Sequence, residues 1–598
     1  MSRFLLVDQS IDRPGGHHYE YAVHMAREAV GRGWDVVVAT HRAFDTGHWP
    51  SGAGTAVPLF PHTTYGPHTF DSVMTRESAR SAGSPIQRGL RRMLDVVREP
   101  WRATDRARRL RIASLTWNRL LDRFPSRAGD HVFCATMSDF DLEGLVPVLA
   151  TRIETRSAHW HLQFHFDVLS GRASDYPSQH ARLTRIARRF AAMMARVPRH
   201  TISYHCTTRG MADQYNTMGV ASFEELPYPV NPRLASSVSG RREGPLRITC
   251  AGYTRREKGK GQLHELIDAL TADCLGTGAA RLRVQGASRR LRRRLARWSK
   301  TERDCVAFEK HPMAEDEYLE LIRSSDIGLF LYDSERYRHR CSGILVEMLM
   351  AGVPVIVPAG CWLGEQIAEP IQRHLQQQIA AFRSDDRSTE QSPGGFRSAS
   401  IAWRVEGDRA EFRSDGGLVV RGASGSAVAE GSRESHTTDW MVACDWLPTT
   451  PPGSFLRIDA EFRAADGGVV HRTARILGPR LQPSDSVHAH FPWVAGARAV
   501  SLRIRNAFRD HPIFTRNWRS FALDTSRASG GGIPGGQVGI QVADPSGYAD
   551  AVKDLIRHYD HYRATALAFA AEWRLEHHPR RALERLVGDT RRPMDRAA

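Results

Sequence analysis

The strongest constraint in this chain is an alternation that occurs twice: short apolar runs, each sized for one buried strand, separated by stretches of helical periodicity. Apolar runs at 4–7 and 35–40 flank the turn Pro14-Gly15-Gly16 and an amphipathic stretch at 19–32, which together read as a βαβ unit. Further runs at 131–135, 159–166 and 201–206 extend the pattern, so residues 1–235 read as one doubly wound α/β domain. The Pro-rich passage Pro227-Tyr-Pro-Val-Asn-Pro232 and the polar stretch 236–244 then mark a boundary. Beyond it the alternation restarts, with strands at 246–251, 281–285, 306–308, 327–331 and 353–357 and helices at 262–272, 289–298, 315–324 and 343–351. Two such sheets in tandem imply a cleft lined by the C-terminal ends of strands, where open α/β sheets bind ligands.

Near residue 370 the grammar changes. A polar stretch at 383–395 leads into short alternating runs punctuated by Asp-Gly-Gly turns, the pattern of an antiparallel sandwich. A Gly-rich linker at 529–536 ends it, and Gly539-Ile-Gln-Val with a helix from Tyr548 restores the α/β pattern. The expected division is therefore 1–235, 236–370, an inserted all-β domain at 371–529, and 530–598 as the remainder of the second α/β domain with terminal helices.

Charge narrows the function classes. The 598 residues carry 83 Lys plus Arg against 66 Asp plus Glu, a net +17, and only five of the cations are Lys. Where any positive charge suffices the chain uses Arg, so a retained Lys points to a need for a compact, rotatable ammonium. Lys258 and Lys260 fall within three residues of each other; the others are Lys300, Lys310 and Lys553. The eight cysteines are scattered, without zinc-ligand spacing, and read as reduced thiols of a cytoplasmic protein. No leader pattern opens the chain and no run of 18 apolar residues occurs, so neither secretion nor a membrane span is expected. Residues 76–123 hold 13 Arg against 5 acidic residues, with an apolar stripe at Leu90, Met93, Leu94, Val97 and Trp101. Such a surface suits peripheral contact with an anionic membrane at its inner face; an Arg-rich solvated helix is the equal alternative. The basic helix at 289–298 has no aromatic interleaving or nucleic-acid motif, so no nucleic-acid partner is expected.

Three segments then carry a family resemblance. Asp8, Pro14-Gly-Gly-His-His18, Ala22, Ala26 and Gly31-Arg-Gly-Trp-Asp-Val36 resemble a glycine loop, helix and second strand of the GT-B glycosyltransferases, specifically the retaining family 4. Gly252-Tyr-Thr-Arg-Arg-Glu-Lys-Gly259 resembles that family's donor-phosphate loop, and Cys341-Ser-Gly-Ile-Leu-Val-Glu347 with the strand after it resembles its glutamate-bearing helix. The resemblance covers roughly 1–45, 130–370 and 536–590. It implies two Rossmann-like domains facing a cleft, with the all-β sandwich as an insertion. It also implies an enzyme, a hexosyltransferase-like protein moving a sugar from a nucleotide-diphosphate sugar to a glycan or lipid-linked acceptor in cell-surface polysaccharide or glycolipid synthesis.

Carried onto this sequence, the resemblance assigns Arg255 and Lys258 to the leaving diphosphate, whose developing charge needs stabilising. Lys258 matches the family's loop lysine, whereas Tyr253 stands where many members have arginine and Arg255 is taken as its substitute. Glu347 is assigned to the ribose hydroxyls, with Ser342, Gly343 and Ile344 leading into its helix beside the nucleotide. An unpaired carboxylate among Ile344, Leu345, Val346, Met348 and Leu349 would be costly, which favours a functional role. Eight residues earlier the family has a second glutamate; here His339 stands there, so either His339, Glu335 or Arg338 takes over the sugar contacts, or the donor differs from the family's common ones, or activity is lost. His165 matches a cleft histidine at a strand end, and Gly15 and Gly16 allow close approach of the first loop. No metal and no resident cofactor are expected: basic residues and helix ends neutralise the diphosphate, and Asp139-Phe-Asp141 reads as a helix cap. In the insert, Trp403, Trp440, Trp446, Phe455, Phe491, Trp493 and Trp518 suit either glycan stacking or a core, and the insert itself either a glycan binder, a spacer or an oligomerisation element. A non-catalytic binder of glycans or nucleotide sugars is the competing function.

Overall fold

The computed structural model describes residues 2–64, 105–169, 177–235, 244–287 except Thr254, 291–293, 305–358 except Pro312, 361–367, 538–542 and 545–588. Within the insert it describes 396–398, 403–406, 410–413, 417–420, 426–432, 439–447, 456–477, 486–492, 497–506 and 512–523. The polar stretch 383–395, the linker 529–536, the apolar stripe of the 76–123 segment and most of the 289–298 helix lie outside the described residues. Contacts divide the chain into two units: Met1–Gly171, Ser178–Pro232 and Leu575–Ala598 form one, Arg172–Pro177 and Arg233–Arg574 the other.

The first unit is built on a seven-stranded sheet of order β3-β2-β1-β4-β5-β6-β7. Its strands are β1 (Arg3–Val7), β2 (Asp35–His41), β3 (Thr55–Phe60), β4 (His131–Met137), β5 (His159–Phe164), β6 (Thr201–Cys206) and β7 (Phe223–Glu225). Every neighbouring pair is parallel. Strands covered on both faces must be apolar throughout, which is why Phe4 to Val7 form an unbroken buried run. Strand order reverses between β1 and β4, so loops at their C-terminal ends diverge and leave room for a ligand. The helix His17–Gly31 starts at Gly16 and lays Ala22, Met25, Ala26 and Ala29 against Phe4, Leu6, Val38 and Phe133.

The same core is completed by Ala582, Leu583, Leu586 and Val587 of the helix Pro579–Val587. Val230 N–H donates to the His577 carbonyl, and Arg32 pairs with Glu584 at 3.6 Å. The order of elements in the sequence leaves these residues with the second α/β domain, whereas their packing puts them in the first. An amphipathic helix declares an apolar face but not the partner that covers it.

The second unit contains a six-stranded parallel sheet built from β8 (Leu246–Cys250), β9 (Ala280–Gln285), β10 (Val306–Glu309), β11 (Ile327–Leu329), β12 (Val355–Pro358) and β13 (Gly539–Val542). Their order is β10-β9-β8-β11-β12-β13. β13 pairs in parallel with β12, Val355 opposite Gly539, so everything between these two neighbours is an insertion into one sheet.

That insertion is a pair of antiparallel sheets. The strands Asp439–Trp446 and Ile513–Leu523 lie in one, Leu456–Arg463 and Ala499–Asn506 in the other. Trp440, Val442 and Cys444 from the first sheet meet Ile458, Ala460, Phe462, Leu502 and Ile504 from the second. Alternation puts charge on the other face, where Asp459 bridges Arg457 and Arg505, each at 2.5 Å. Trp440 is 2% exposed and Phe491 fully buried, so both are core and neither is a sugar-stacking platform. Trp518 packs against this core and donates through its ring N–H to Thr515 Oγ1 at 2.9 Å. The side chains of Trp403, Trp446, Phe455 and Trp493 lie outside the described residues. Among the described residues no helix is long and apolar enough to cross a membrane.

Candidate functional site

In the second unit the loop after β8 is shaped by two glycines. Gly252 has φ 86°, and its N–H donates to Gln285 Oε1 at 2.6 Å, tying the loop to the end of β9. A 3₁₀ turn, Arg256–Lys258, ends on Gly259 at φ 79°. A Cβ at Gly259 would overlap the Cβ and carbonyl oxygen of Leu331, so the loop lies against the end of the β11 run only with glycine there. Gly259→Ala should lower stability by at least about 2 kcal/mol, from left-handed strain plus overpacking; a shift in the urea midpoint measures it, and an unchanged midpoint would contradict the packing.

This turn sets the position of Lys258. Its Nζ stands 5.0 Å from the ring centroid of buried Tyr332, whose ring is 4.5 Å from that of Tyr337. A Cβ added to Gly252 would meet Lys258 Nζ at 3.3 Å and Ile344 Cδ1 at 2.5 Å, so the ammonium, the loop and the start of helix Gly343–Met350 converge on one spot. Burial holds the Lys258 ammonium below its usual range, and Arg255 adds to this, outweighing the opposite pull of Tyr337, Glu257 and Glu347. A cation left short of counter-charge beside a helix N-terminus is a receptor for an anion. Ser342 caps that helix, its Oγ accepting from Leu345 N–H at 3.4 Å. Arg255 is 64% exposed, 3.9 Å from Glu257, at the rim.

Glu347 lies one turn along the same helix, half-buried, and Tyr318 Oη donates to its Oε2 at 2.5 Å. Tyr318 comes from helix Glu315–Arg323 and fixes the carboxylate from the side. His339 is half-buried in a loop held by Asp333, whose carboxylate accepts from the N–H groups of Glu335 and Arg336 at 3.0 and 3.2 Å. Trp362 N–H donates to the carbonyls of Tyr337 and Arg338, anchoring the far side of the loop. Glu335 is exposed and Arg338 half-buried. Tyr318, Tyr332 and Tyr337 were not singled out by the sequence: each acquires meaning only from a partner on another element or across a loop.

The first unit carries a second polar group, at the C-terminal ends of β1, β4 and β5. Asp8 is buried and its Oδ2 receives His18 Nδ1 at 2.9 Å and Thr136 Oγ1 at 3.0 Å, while Ser10 N–H donates to Oδ1 at 2.9 Å. Burial alone would push the carboxyl up, but His18, Ser10 and His165 together hold it below its ordinary value. His165 stacks on His18 with ring centroids 6.1 Å apart, and burial, reinforced by His18, pulls it down to about 4 against Asp8 and the Ala135 backbone. Gly15 and Gly16, at φ 78° and 83°, lead into the helix that bears His18, with open space where a Cβ would stand. Asp8 stood in the quoted motif, but its bond to Thr136 is visible only once β1 and β4 are neighbours.

Asp139 and Asp141 begin helix Asp139–Thr151 with Ser138 as N-cap, and Asp141 reaches back to Ser138 N–H at 2.9 Å in a capping box. Gln9 Nε2 donates to Asp141 Oδ1 at 2.5 Å, and burial pushes that carboxyl up to about 6. A pocket beside it is lined by Gln9, Thr64, Phe60, Phe140 and Asp141.

Burial has a further consequence in this unit. His24, His131, His165 and His205 are each pulled down to about 4. Between about pH 6.5 and 4 the unfolded chain protonates these rings and the native one does not, so stability falls as pH falls through that window. The urea midpoint of the transition involving this unit should drop steeply from pH 7 to pH 5, with uptake of several protons; a flat midpoint would contradict it.

No protein-family model matches the chain, and no curated protein sequence matches it. Among solved structures it is similar to a sucrose-phosphate synthase from Thermosynechococcus elongatus, at 14% identity and TM-score 0.37, over 64% of this chain and 90% of that one. It is also similar to a UDP-forming trehalose-phosphate synthase from Burkholderia xenovorans, at 12% identity and TM-score 0.38, covering 61% and 86%. HepE of Anabaena, in complex with UDP, gives 14% identity, TM-score 0.35 and coverage of 62% and 84%.

Proposed function

We propose that this chain is a GT-B glycosyltransferase that moves a sugar from a nucleotide-diphosphate donor to a glycan or lipid-linked acceptor, with retention and without a metal in the transfer step. The observation that carries this reading is the convergence of the Lys258 ammonium, Gly252 and Ile344 at the start of the helix that bears Glu347. Lys258 and the helix N-terminus take the diphosphate, whose negative charge grows as the glycosidic bond breaks; Arg255 closes on it from the rim. Ser342, Gly343 and Ile344 line the phosphate side, and Glu347, fixed by Tyr318, accepts from the ribose hydroxyls. His339 stands on the loop assigned to the transferred sugar. In the first unit, His165 stays neutral through physiological pH and serves as a hydrogen-bonding group toward the reacting sugar, oriented through His18 and Asp8. Gly15 and Gly16 keep the approach open.

Calorimetry of the full chain with UDP-, ADP-, GDP- and dTDP-sugars, with release of the nucleoside diphosphate followed in parallel, tests the reading. One donor class should bind at one site per chain and turn over with an added glycan or lipid-linked acceptor. Binding without turnover across acceptors would instead identify a nucleotide-sugar-binding protein, the alternative that His339 in place of a glutamate raises.

A further inference from the structure

A second cluster sits at the opposite end of the first unit's sheet from Asp8 and His165. His131 opens β4 and His159 opens β5, and the parallel register sets them side by side; His161 follows two residues on, its side chain on the same face as that of His159. His131 Nδ1 and His161 Nε2 face each other at 3.0 Å, and one nitrogen from each of the three rings lies within 4.8 Å of the others. His159 Nε2 is held by Ser203 Oγ on β6 at 2.9 Å, and Trp34 stacks on His131 at 5.2 Å.

One buried and two half-buried imidazoles converging on one face of a sheet need a reason. His161 is 0% exposed, and the partner its Nε2 meets is another imidazole, His131, a costly arrangement where an apolar side chain would fit. An imidazole ligates a metal as the neutral ring, through one lone pair, and three such nitrogens converge here. Zinc bound at about 2.0–2.1 Å to tetrahedral imidazoles places ligand nitrogens about 3.3 Å apart, so the His131–His161 pair must open by only a few tenths of an ångström. Small ring rotations bring in His159.

We propose that His131, His159 and His161 bind one zinc-type divalent ion, completed by water, that cross-links β4 to β5. The proton now shared between His131 and His161 moves to the outer nitrogen of the ring that keeps it. Ser203 orients His159 from behind the ligand set. The ion sits at the N-terminal ends of the strands, away from the group proposed to meet the sugar, and is independent of the donor chemistry. The zinc spacing absent from the sequence arises here through strand register, because His131 and His159 are distant in the chain.

The test uses the untagged full-length chain, stripped with chelator and titrated with Zn²⁺ against a competing indicator. One equivalent should bind more tightly than micromolar and raise the thermal midpoint. Co²⁺ in its place should give the intense visible absorption of a tetrahedral site. His159→Gln should weaken uptake at least about tenfold, and Ser203→Ala about tenfold while keeping one equivalent. His159 is half-exposed and its substitution keeps the fold testable if His161→Gln does not fold. Equal affinity in wild type and His159→Gln, or no uptake beyond weak binding to surface histidines, would overturn the proposal.

Discussion

Lys258→Ala is expected to reduce sugar transfer about a hundred- to thousandfold, the loss typical of removing one preorganised donor to a developing anion. The same substitution should leave the free protein as stable as before, or more so. Burial depresses the Lys258 ammonium because its surroundings supply too little counter-charge, so removing it relieves a desolvation penalty. A lysine kept for structure would behave oppositely, its loss exposing an unpaired partner. The two readings therefore separate in one pair of thermal scans: with a nucleoside diphosphate the wild type should gain in midpoint and Lys258→Ala should not. Lys258→Arg should restore little, because the planar guanidinium must fit between Tyr332, Gly252 and Ile344, where a compact ammonium now sits. Loss of stability in Lys258→Ala together with an unchanged response to nucleotide would contradict the assignment.

The second large effect concerns Glu347. Glu347→Gln keeps the shape and a hydrogen bond to Tyr318 while removing the charge, so donor binding should weaken about ten- to hundredfold, the range for hydrogen bonds to a charged group. The loss should fall on the nucleoside portion, equal for the sugar donor and for the free nucleoside diphosphate. Tyr318→Phe removes only the group that holds Oε2 and should cost less, expressed in KM more than in kcat, since it acts through the orientation of Glu347. Equal affinity of Glu347→Gln and wild type for the nucleoside diphosphate would remove Glu347 from the site and leave it a half-buried carboxylate satisfied by a tyrosine.

How much of this was legible in the sequence varies with the physical origin of each feature. The strands and their parallel pairing follow from apolar runs covered on both faces, and Gly539-Ile-Gln-Val reads correctly as a strand although a whole sandwich separates it from its neighbour β12. Lys258 stood out because lysine is scarce in an arginine-rich chain, and Glu347 because it sits in an apolar stretch. Their partners did not stand out. Tyr318, Tyr332 and Thr136 are ordinary residues in sequence, and what they do depends on sheet order and loop packing that no local pattern encodes. His159 and His161 lie two residues apart on β5, yet His131, which completes the trio, lies on a different strand. The aromatics of the insert were ambiguous for a related reason: a tryptophan for a core and one for a sugar have the same letter, and only the burial of Trp440 between two sheets decides it.

On the proposed function, the loop after β8 and the helix Gly343–Met350 form a nucleotide-diphosphate site organised by Lys258. The most direct measurement is calorimetric titration of wild type and Lys258→Ala with the same panel of nucleoside diphosphates and their sugar conjugates. Saturable one-to-one binding of one base class by the wild type, weakened about tenfold or more in the variant, is the expected result. Absence of binding across the panel, or binding that Lys258→Ala leaves unchanged, would contradict it.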